Sequence, residues 1–144
     1  MIFLDFDGVL APIRRWDRYE DLDPACVQVL NEIVARCSAD IVVSSTWRYG
    51  KTVAELQAML DAEGFAGRVL DKTPSGPPGT DRAEEIAAWL AEHDVERYVI
   101  IDDHVVTGEL RAHLVLTHPA RGLLPADSSR AIATLMRPPI MPPA

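Results

Sequence analysis

The sequence predicts an α/β protein: a Rossmann-like three-layer sandwich, with a central, mainly parallel sheet and helices on both its faces. Three observations point there. Apolar runs of strand length recur at 2–4, 41–43 and 98–101, the pattern of strands buried on both faces. Between them lie segments whose apolar residues fall at helical spacing. Each run also ends in carboxyl or hydroxyl residues: Asp5 and Asp7, Ser44 to Thr46, Asp102 and Asp103. The carboxyl ends of strands are where an open α/β sheet binds its ligands.

In chain order, Ile2-Phe3-Leu4-Asp5-Phe6-Asp7-Gly8-Val9-Leu10 opens as a buried strand. Strand alternation puts Asp5 and Asp7 on one side and Phe6 on the other. Two carboxylates so close repel unless a cation or a shared proton lies between them. Gly8 lets the backbone turn sharply there. The polar, aromatic-containing segment 11–22, with Arg14, Arg15, Trp16, Arg18 and Tyr19, is either a loop over the site or a connector. Asp23-Pro24 then has the form of an N-cap with proline at the first helical position. Cys26, Leu30, Ile33 and Cys37 continue at helical spacing over 24–37.

Ile41-Val42-Val43 forms a second buried strand whose carboxyl end is Ser44-Ser45-Thr46, followed by Trp47 and Arg48. Thr52 and Glu55 have capping-box spacing before a stripe of Val53, Leu56, Met59 and Leu60 that ends at Gly64. Arg68-Val69-Leu70 is a short strand candidate, and the Pro/Gly-rich stretch 73–80 is a loop. Asp81 caps a helix with Glu84 three residues on, turning Ile86, Trp89 and Leu90 inward. Arg82 falls in that helix's first turn, where a cation opposes the dipole, which suggests a task other than helix stability. Tyr98 to Ile101 is a further buried strand ending in Asp102-Asp103, and His113 to Thr117 a last, shorter one. Gly122 to Leu124 is a turn, and Ile132, Leu135 and Met136 stripe a final helix.

Composition bounds what such a fold can be for. A chain of 144 residues suits one domain, expected over 1–137, with a proline-rich tail over 138–144. Its net charge of −8 argues against broad affinity for nucleic acid or anionic membrane, while leaving room for a nucleic-acid end held through a metal and a few local cations. No apolar run is long enough to span a membrane, and the first strand begins at residue 2, so no signal peptide and a cytoplasmic location are expected. Cys26 and Cys37, eleven residues apart along one helix, cannot bridge and are expected as reduced thiols. Oligomeric state is not specified by any of these features.

In a parallel sheet every strand ends on the same edge, so Asp5, Asp7, Ser44 to Thr46, Asp102 and Asp103 are expected to meet there. Carboxylates gathered in this way call for a hard cation, and all-oxygen ligands favour Mg²⁺. A metal-neutralised aspartate beside hydroxyl and cationic anchors is equipped for phosphoryl transfer. His104, His113 and His118 lack metal-ligand spacing and are expected in surface or packing roles. Trp16 and Trp47, with Arg14 and Arg48, either line the substrate entrance or pack at its rim.

Asp5-Phe6-Asp7-Gly8-Val9-Leu10 resembles the first motif of the haloacid dehalogenase (HAD) superfamily, DxDGxL. Val42-Val43-Ser44 resembles the second, and Ile100-Ile101-Asp102-Asp103 the fourth. The third motif, an upstream cation, is matched by Arg82 or by Lys72. The order holds from residue 2 to about residue 136. More narrowly, Ser44-Ser45-Thr46-Trp47-Arg48, Arg82-Ala83-Glu84-Glu85-Ile86 and Gly122-Leu123 resemble the branch related to phosphatase domains of RNA-repair proteins.

The resemblance implies a HAD-like phosphatase that hydrolyses a phosphate monoester through an aspartyl-phosphate. Asp5 is the implied nucleophile and Asp7 the general acid/base, with Ser44 bonding the phosphoryl group beside the amide of Ser45. Arg82 would offset the phosphoryl charge and restrain Asp5. Asp5, Asp7 (through its backbone carbonyl), Asp102 and Asp103 are the implied Mg²⁺ ligands, and Ser45, Thr46, Arg48 and Lys72 the candidate substrate contacts. Family members usually carry lysine as the third-motif cation, and arginine's planar fork binds oxygens differently. Neither interval between motifs has room for a cap domain, so a capless protein with an open site is expected. Its partner is then a phosphorylated small molecule or a nucleic-acid end. The alternatives are a phospho-receiver domain or an inactive HAD-fold binding module; a receiver needs a lysine after its last strand, and none follows 113–117.

Overall fold

Five parallel strands carry the molecule: β1 (Ile2–Leu4), β2 (Ile41–Val43), β3 (Val69–Lys72), β4 (Val99–Asp102) and β5 (Leu114–Leu116), ordered β3-β2-β1-β4-β5. The structure is a computed structural model that describes residues 1–13 and 21–137. Arg14, Arg15, Trp16, Arg18 and Tyr19, and the expected tail 138–144, lie outside the described residues. The helices α1 (Pro24–Cys37), α2 (Val53–Asp61) and α3 (Arg82–Ala91) join successive strands from β1 to β4, and α4 (Pro125–Met136) follows β5.

Alternation along each strand sorts the interior into two cores. Ile2, Leu4, Ile41, Val43, Val99 and Ile101 face the larger one, with Leu30 and Ile33 of α1, Leu56 and Leu60 of α2, and Leu135 of α4. Phe3, Val42 and Ile100 face the other, against Ile86 and Trp89 of α3. Every residue of β1, β2 and β4 is buried, as helices on both faces require. This is the α/β sandwich the alternating pattern predicts, and no cap domain is present among the described residues.

The local signals act as expected. Asp23 Oδ1 accepts the Ala25 N–H and Pro24 opens α1. Thr52 and Glu55 form a reciprocal capping box, and Asp81 Oδ1 accepts the Glu84 N–H. Two details differ. β3 runs on to Lys72, because Asp71 and Lys72 pair in register with Val42 and Val43 and Trp89 Nε1 holds the Asp71 carboxylate at 2.8 Å; backbone pairing outweighs their polarity. Met136 is 56% exposed rather than inward, since the buried face of α4 runs through Ser128, Ala131 and Leu135. Cys26 is buried, Cys37 is half-buried, and no disulfide joins them.

Candidate active site

Register places the chemistry. Leu4 pairs with Val43 on one side and Ile101 on the other, so Asp5, Ser44 and Asp102 come abreast at the carboxyl ends of three adjacent strands. The Asp5 N–H donates to Ile101 O and the Ser44 N–H to Leu4 O, locking that level. All three continue the alternation of Phe3, Val42 and Ile100, which puts them on the α3 side of the sheet. In chain order the sheet grows from β1 through β2 to β3, then α3 carries the chain back across to β4 on the other side of β1, and such a switch point is where doubly wound sheets open a crevice.

The turn after β1 is built by its own backbone. The amides of Val9, Leu10 and Ala11 all donate to Phe6 O, and Gly8 N–H donates to Ala11 O at 2.9 Å. Thr117 Oγ1, buried at the end of β5, donates to Gly8 O at 2.7 Å. Gly8 has φ +77°, and a Cβ there would stand 2.3 Å from Asp103 Oδ2, so glycine is required both by conformation and by the carboxylate packed against it. Gly122 (φ +69°) plays the corresponding part opposite, where a Cβ would meet Val9 O at 2.7 Å.

Three carboxylates and one cation make up the centre. Arg82 Nη1, from the first turn of α3, lies 2.6 Å from Asp102 Oδ2 and 3.1 Å from Asp5 Oδ2. Asp5 Oδ1 accepts the Phe6 N–H, and Asp102 Oδ1 accepts the His104 N–H. Burial, then the neighbouring Asp102 charge, push the Asp5 carboxyl up to about 8, with Arg82 only partly opposing them. Burial likewise raises Asp103. Desolvation works against the charge on Arg82, yet Asp5 and Asp102 more than offset it and hold its pKa above the ordinary value.

The cluster is therefore short of positive charge. Ligand atoms of Asp5, Asp102, Asp103 and His104 lie within 4.8 Å of one another. Among the described residues, Asp103 Oδ1, on a side chain only 4% exposed, has no hydrogen-bond donor, and neither has the fully buried Ser44 hydroxyl. Buried acceptors without donors, among carboxylates that resist ionising, fit a hard divalent cation. A metal could be held by Asp5, Asp102 and Asp103. Asp7, half-buried, is outside the set of side-chain ligands, which leaves its carboxylate available for other work.

Of the expected substrate contacts, Ser45 and Thr46 sit beside the centre: Ser45 is buried, its hydroxyl accepting the Trp47 N–H, and Thr46 is exposed. Arg48 does not reach outward. It is 2% exposed, and its guanidinium donates to Thr73 O, Ser45 O and Glu85 Oε2 at 2.9, 2.9 and 2.8 Å. Lys72 turns away too, its Nζ donating to Lys51 O at 2.6 Å, so Arg82 is the cation that meets Asp5. Trp47 packs edge-on against Phe6, His113 stacks on Tyr98, and His118 Nδ1 accepts the Ala120 N–H, all packing or turn roles.

Three residues escape a reading of the sequence alone. His104 follows Asp102-Asp103 directly, a visible adjacency that no ligand spacing marks. Glu85, the partner of Arg48, and Thr117, which fixes Gly8, lie 37 and 109 residues from the groups they bind, and nothing local signals either.

No curated protein and no solved structure matches this chain significantly. A family model does, described as the HAD domain in Swiss Army Knife RNA repair proteins, and it spans residues 1–128. Its span takes in all five strands, Arg82 and the acidic cluster. With that match over most of its length and the motifs meeting at one sheet edge, the chain belongs to this family of capless haloacid dehalogenase superfamily hydrolase domains.

Proposed function

We propose that this protein is a Mg²⁺-dependent phosphatase that works through an aspartyl-phosphate on Asp5. The observation that carries the reading is the meeting of Asp5, Asp102 and Asp103 around Arg82 at the carboxyl edge. Asp5, Asp102 and Asp103, with the backbone carbonyl of Asp7, would hold the ion. Bound there, Mg²⁺ neutralises the carboxylates and the phosphoryl oxygens that approach them.

The chain's own groups account for the remaining steps. An Asp5 oxygen attacks phosphorus as the bond to the leaving oxygen breaks. Asp7 gives its proton to that oxygen. The Asp7 carboxylate then takes a proton from water, which attacks phosphorus, breaks the bond to Asp5 and releases phosphate. The Ser44 hydroxyl, without a partner among the described residues, donates to the phosphoryl group beside the Ser45 amide. Arg82 offsets the negative charge on the oxygens and holds Asp5 for in-line attack.

An open site suits a phosphorylated nucleic-acid end, a nucleotide or another phosphoester. The family's setting in RNA-repair proteins supports the first, and the net charge of −8 weighs against extensive contact with a polynucleotide. A cytoplasmic setting is in keeping with cysteines that no disulfide joins and with described helices too short to cross a membrane. The test is p-nitrophenyl phosphate turnover with Mg²⁺, followed by a screen of nucleotides, 3′- and 5′-phosphorylated oligonucleotides, sugar phosphates and phosphopeptides. Turnover is expected to vanish in Asp5→Asn and to drop about 10²–10⁴-fold in Asp7→Asn. No turnover of any phosphoester would favour a receiver-like or inactive binding module.

A further inference from the structure

One group at the centre has no part in the reaction above. We propose that the imidazole of His104 is a ligand of the bound cation, and that it makes this a site for Co²⁺ as well as Mg²⁺. The inference rests on the metal reading of Asp5, Asp102 and Asp103.

The geometry of His104 is that of a ligand rather than a hydrogen-bond partner. Nδ1 stands 2.9 Å from Asp103 Oδ1 and 3.6 Å from Asp102 Oδ1. At 2.9 Å a hydrogen bond is the ordinary outcome, yet the two atoms are not aligned for one, and Asp103 Oδ1 is left without a donor among the described residues. Two ligand atoms each about 2.1 Å from an octahedral ion, at right angles, stand about 3 Å apart and point at the ion, not at each other. That arrangement accounts for both the short separation and the missing alignment. The placement is also restrained, because the His104 N–H donates to Asp102 Oδ1 at 3.0 Å and ties the residue to the cluster. The ring itself is 81% exposed, so neither core packing nor helix structure explains where it lies.

Ligand chemistry then sets the preference. Mg²⁺ keeps waters and carboxylates and gains little from a nitrogen donor. Imidazole suits the later first-row ions, whereas Mn²⁺, like Mg²⁺, is an ion for carboxylate, carbonyl and water. His104 therefore separates the two classes: Co²⁺ uses it, and Mg²⁺ and Mn²⁺ are nearly indifferent.

Isothermal calorimetry with MgCl₂, MnCl₂ and CoCl₂ on the wild type, His104→Ala, His104→Gln and Asp102→Asn tests this, with the Co²⁺ visible spectrum as a second readout. The wild type is expected to bind Co²⁺ more tightly than Mg²⁺. Both His104 variants should lose at least the 10–100-fold, roughly, that removal of an outer-shell partner costs, and should shift the Co²⁺ bands. Their Mg²⁺ and Mn²⁺ affinities should stay within about threefold. An exposed ring can be removed without unfolding the protein, and circular dichroism verifies this. Co²⁺ affinity and spectrum unchanged in both His104 variants, with Mg²⁺ still dependent on Asp102, would overturn the inference alone. A wild type that binds none of the three ions would overturn the metal reading, and this inference with it.

Discussion

Arg48 is the side chain whose removal says most about how the site is held. Its guanidinium is 2% exposed and serves five acceptors: Thr73 O, Ser44 O, Ser45 O, Pro74 O and Glu85 Oε2. Arg48→Ala leaves the Glu85 carboxylate, 9% exposed, with only the Gly76 N–H at 3.1 Å among the described residues. It also strips a donor from the carbonyls of the Ser44-Ser45 turn. Breaking a buried ion pair from one side costs about 3–5 kcal/mol. For a chain of this size that lowers Tm by about 10–15 °C and moves the urea midpoint by on the order of 2 M.

Equilibrium urea unfolding followed by circular dichroism and tryptophan fluorescence measures it. The double variant Arg48→Met/Glu85→Leu, which removes both charges, should recover much of the loss. Phosphatase kcat should fall in Arg48→Ala as the Ser44 turn loosens. Stability within about 1 kcal/mol of wild type, together with a raised KM, would refute this account and return Arg48 to the substrate-contacting role its sequence position suggests.

Three further outcomes follow. In metal-free buffer, Asp5 keeps a proton in the folded protein up to about pH 8, which the unfolded chain releases near 3.8. Stability should therefore fall as pH rises between about 4 and 8, by at most ~1.4 kcal/mol per unit from this group. Asp5→Asn should flatten that slope and Mg²⁺ should stabilise most at the alkaline end; identical slopes in chemical denaturation would contradict it. Gly8→Ala, at φ +77° with its new Cβ against Asp103, should cost about 1–2 kcal/mol for the backbone alone. It should also weaken Mg²⁺ binding in calorimetry by displacing Asp103, so an unaltered affinity counts against that placement. Arg82→Lys should retain the fold but lose about tenfold or more in kcat/KM, because a shorter lysine must bring its ammonium to the place where Nη1 now meets both Asp5 and Asp102; a change under about twofold would remove Arg82 from the reacting centre.

Much of this was legible before any coordinates. Strand and helix periodicity locate the layers, and capping residues at Asp23, Thr52 and Asp81 locate the helix starts, because these are local effects written in adjacent residues. The convergence of Asp5, Ser44 and Asp102 follows from parallel strands sharing one edge. Arg48 misleads because sequence places it just past Ser44-Ser45-Thr46, while its true environment is set by Glu85 and the 73–76 loop. The choice between Arg82 and Lys72 also turns on tertiary direction: β3 points Lys72 at the Lys51 carbonyl, and α3 starts beside Asp102. Met136 shows the limit of stripe counting at a helix end, where one step rotates a residue out of the core.

The level shared by Asp5, Ser44 and Asp102 separates two things evolution can alter. An insertion or deletion inside β1, β2 or β4 flips the working side chains to the wrong face, so these segments tolerate almost no length variation. The segment 77–80, beyond the backbone of Thr73, Pro74 and Gly76 that holds Arg48 and Glu85, lies outside that constraint and can lengthen, shorten or change composition while the reactive geometry stays put. Relatives built on this scaffold should keep one chemistry and diversify in what they accept, with the differences concentrated in such outer connectors.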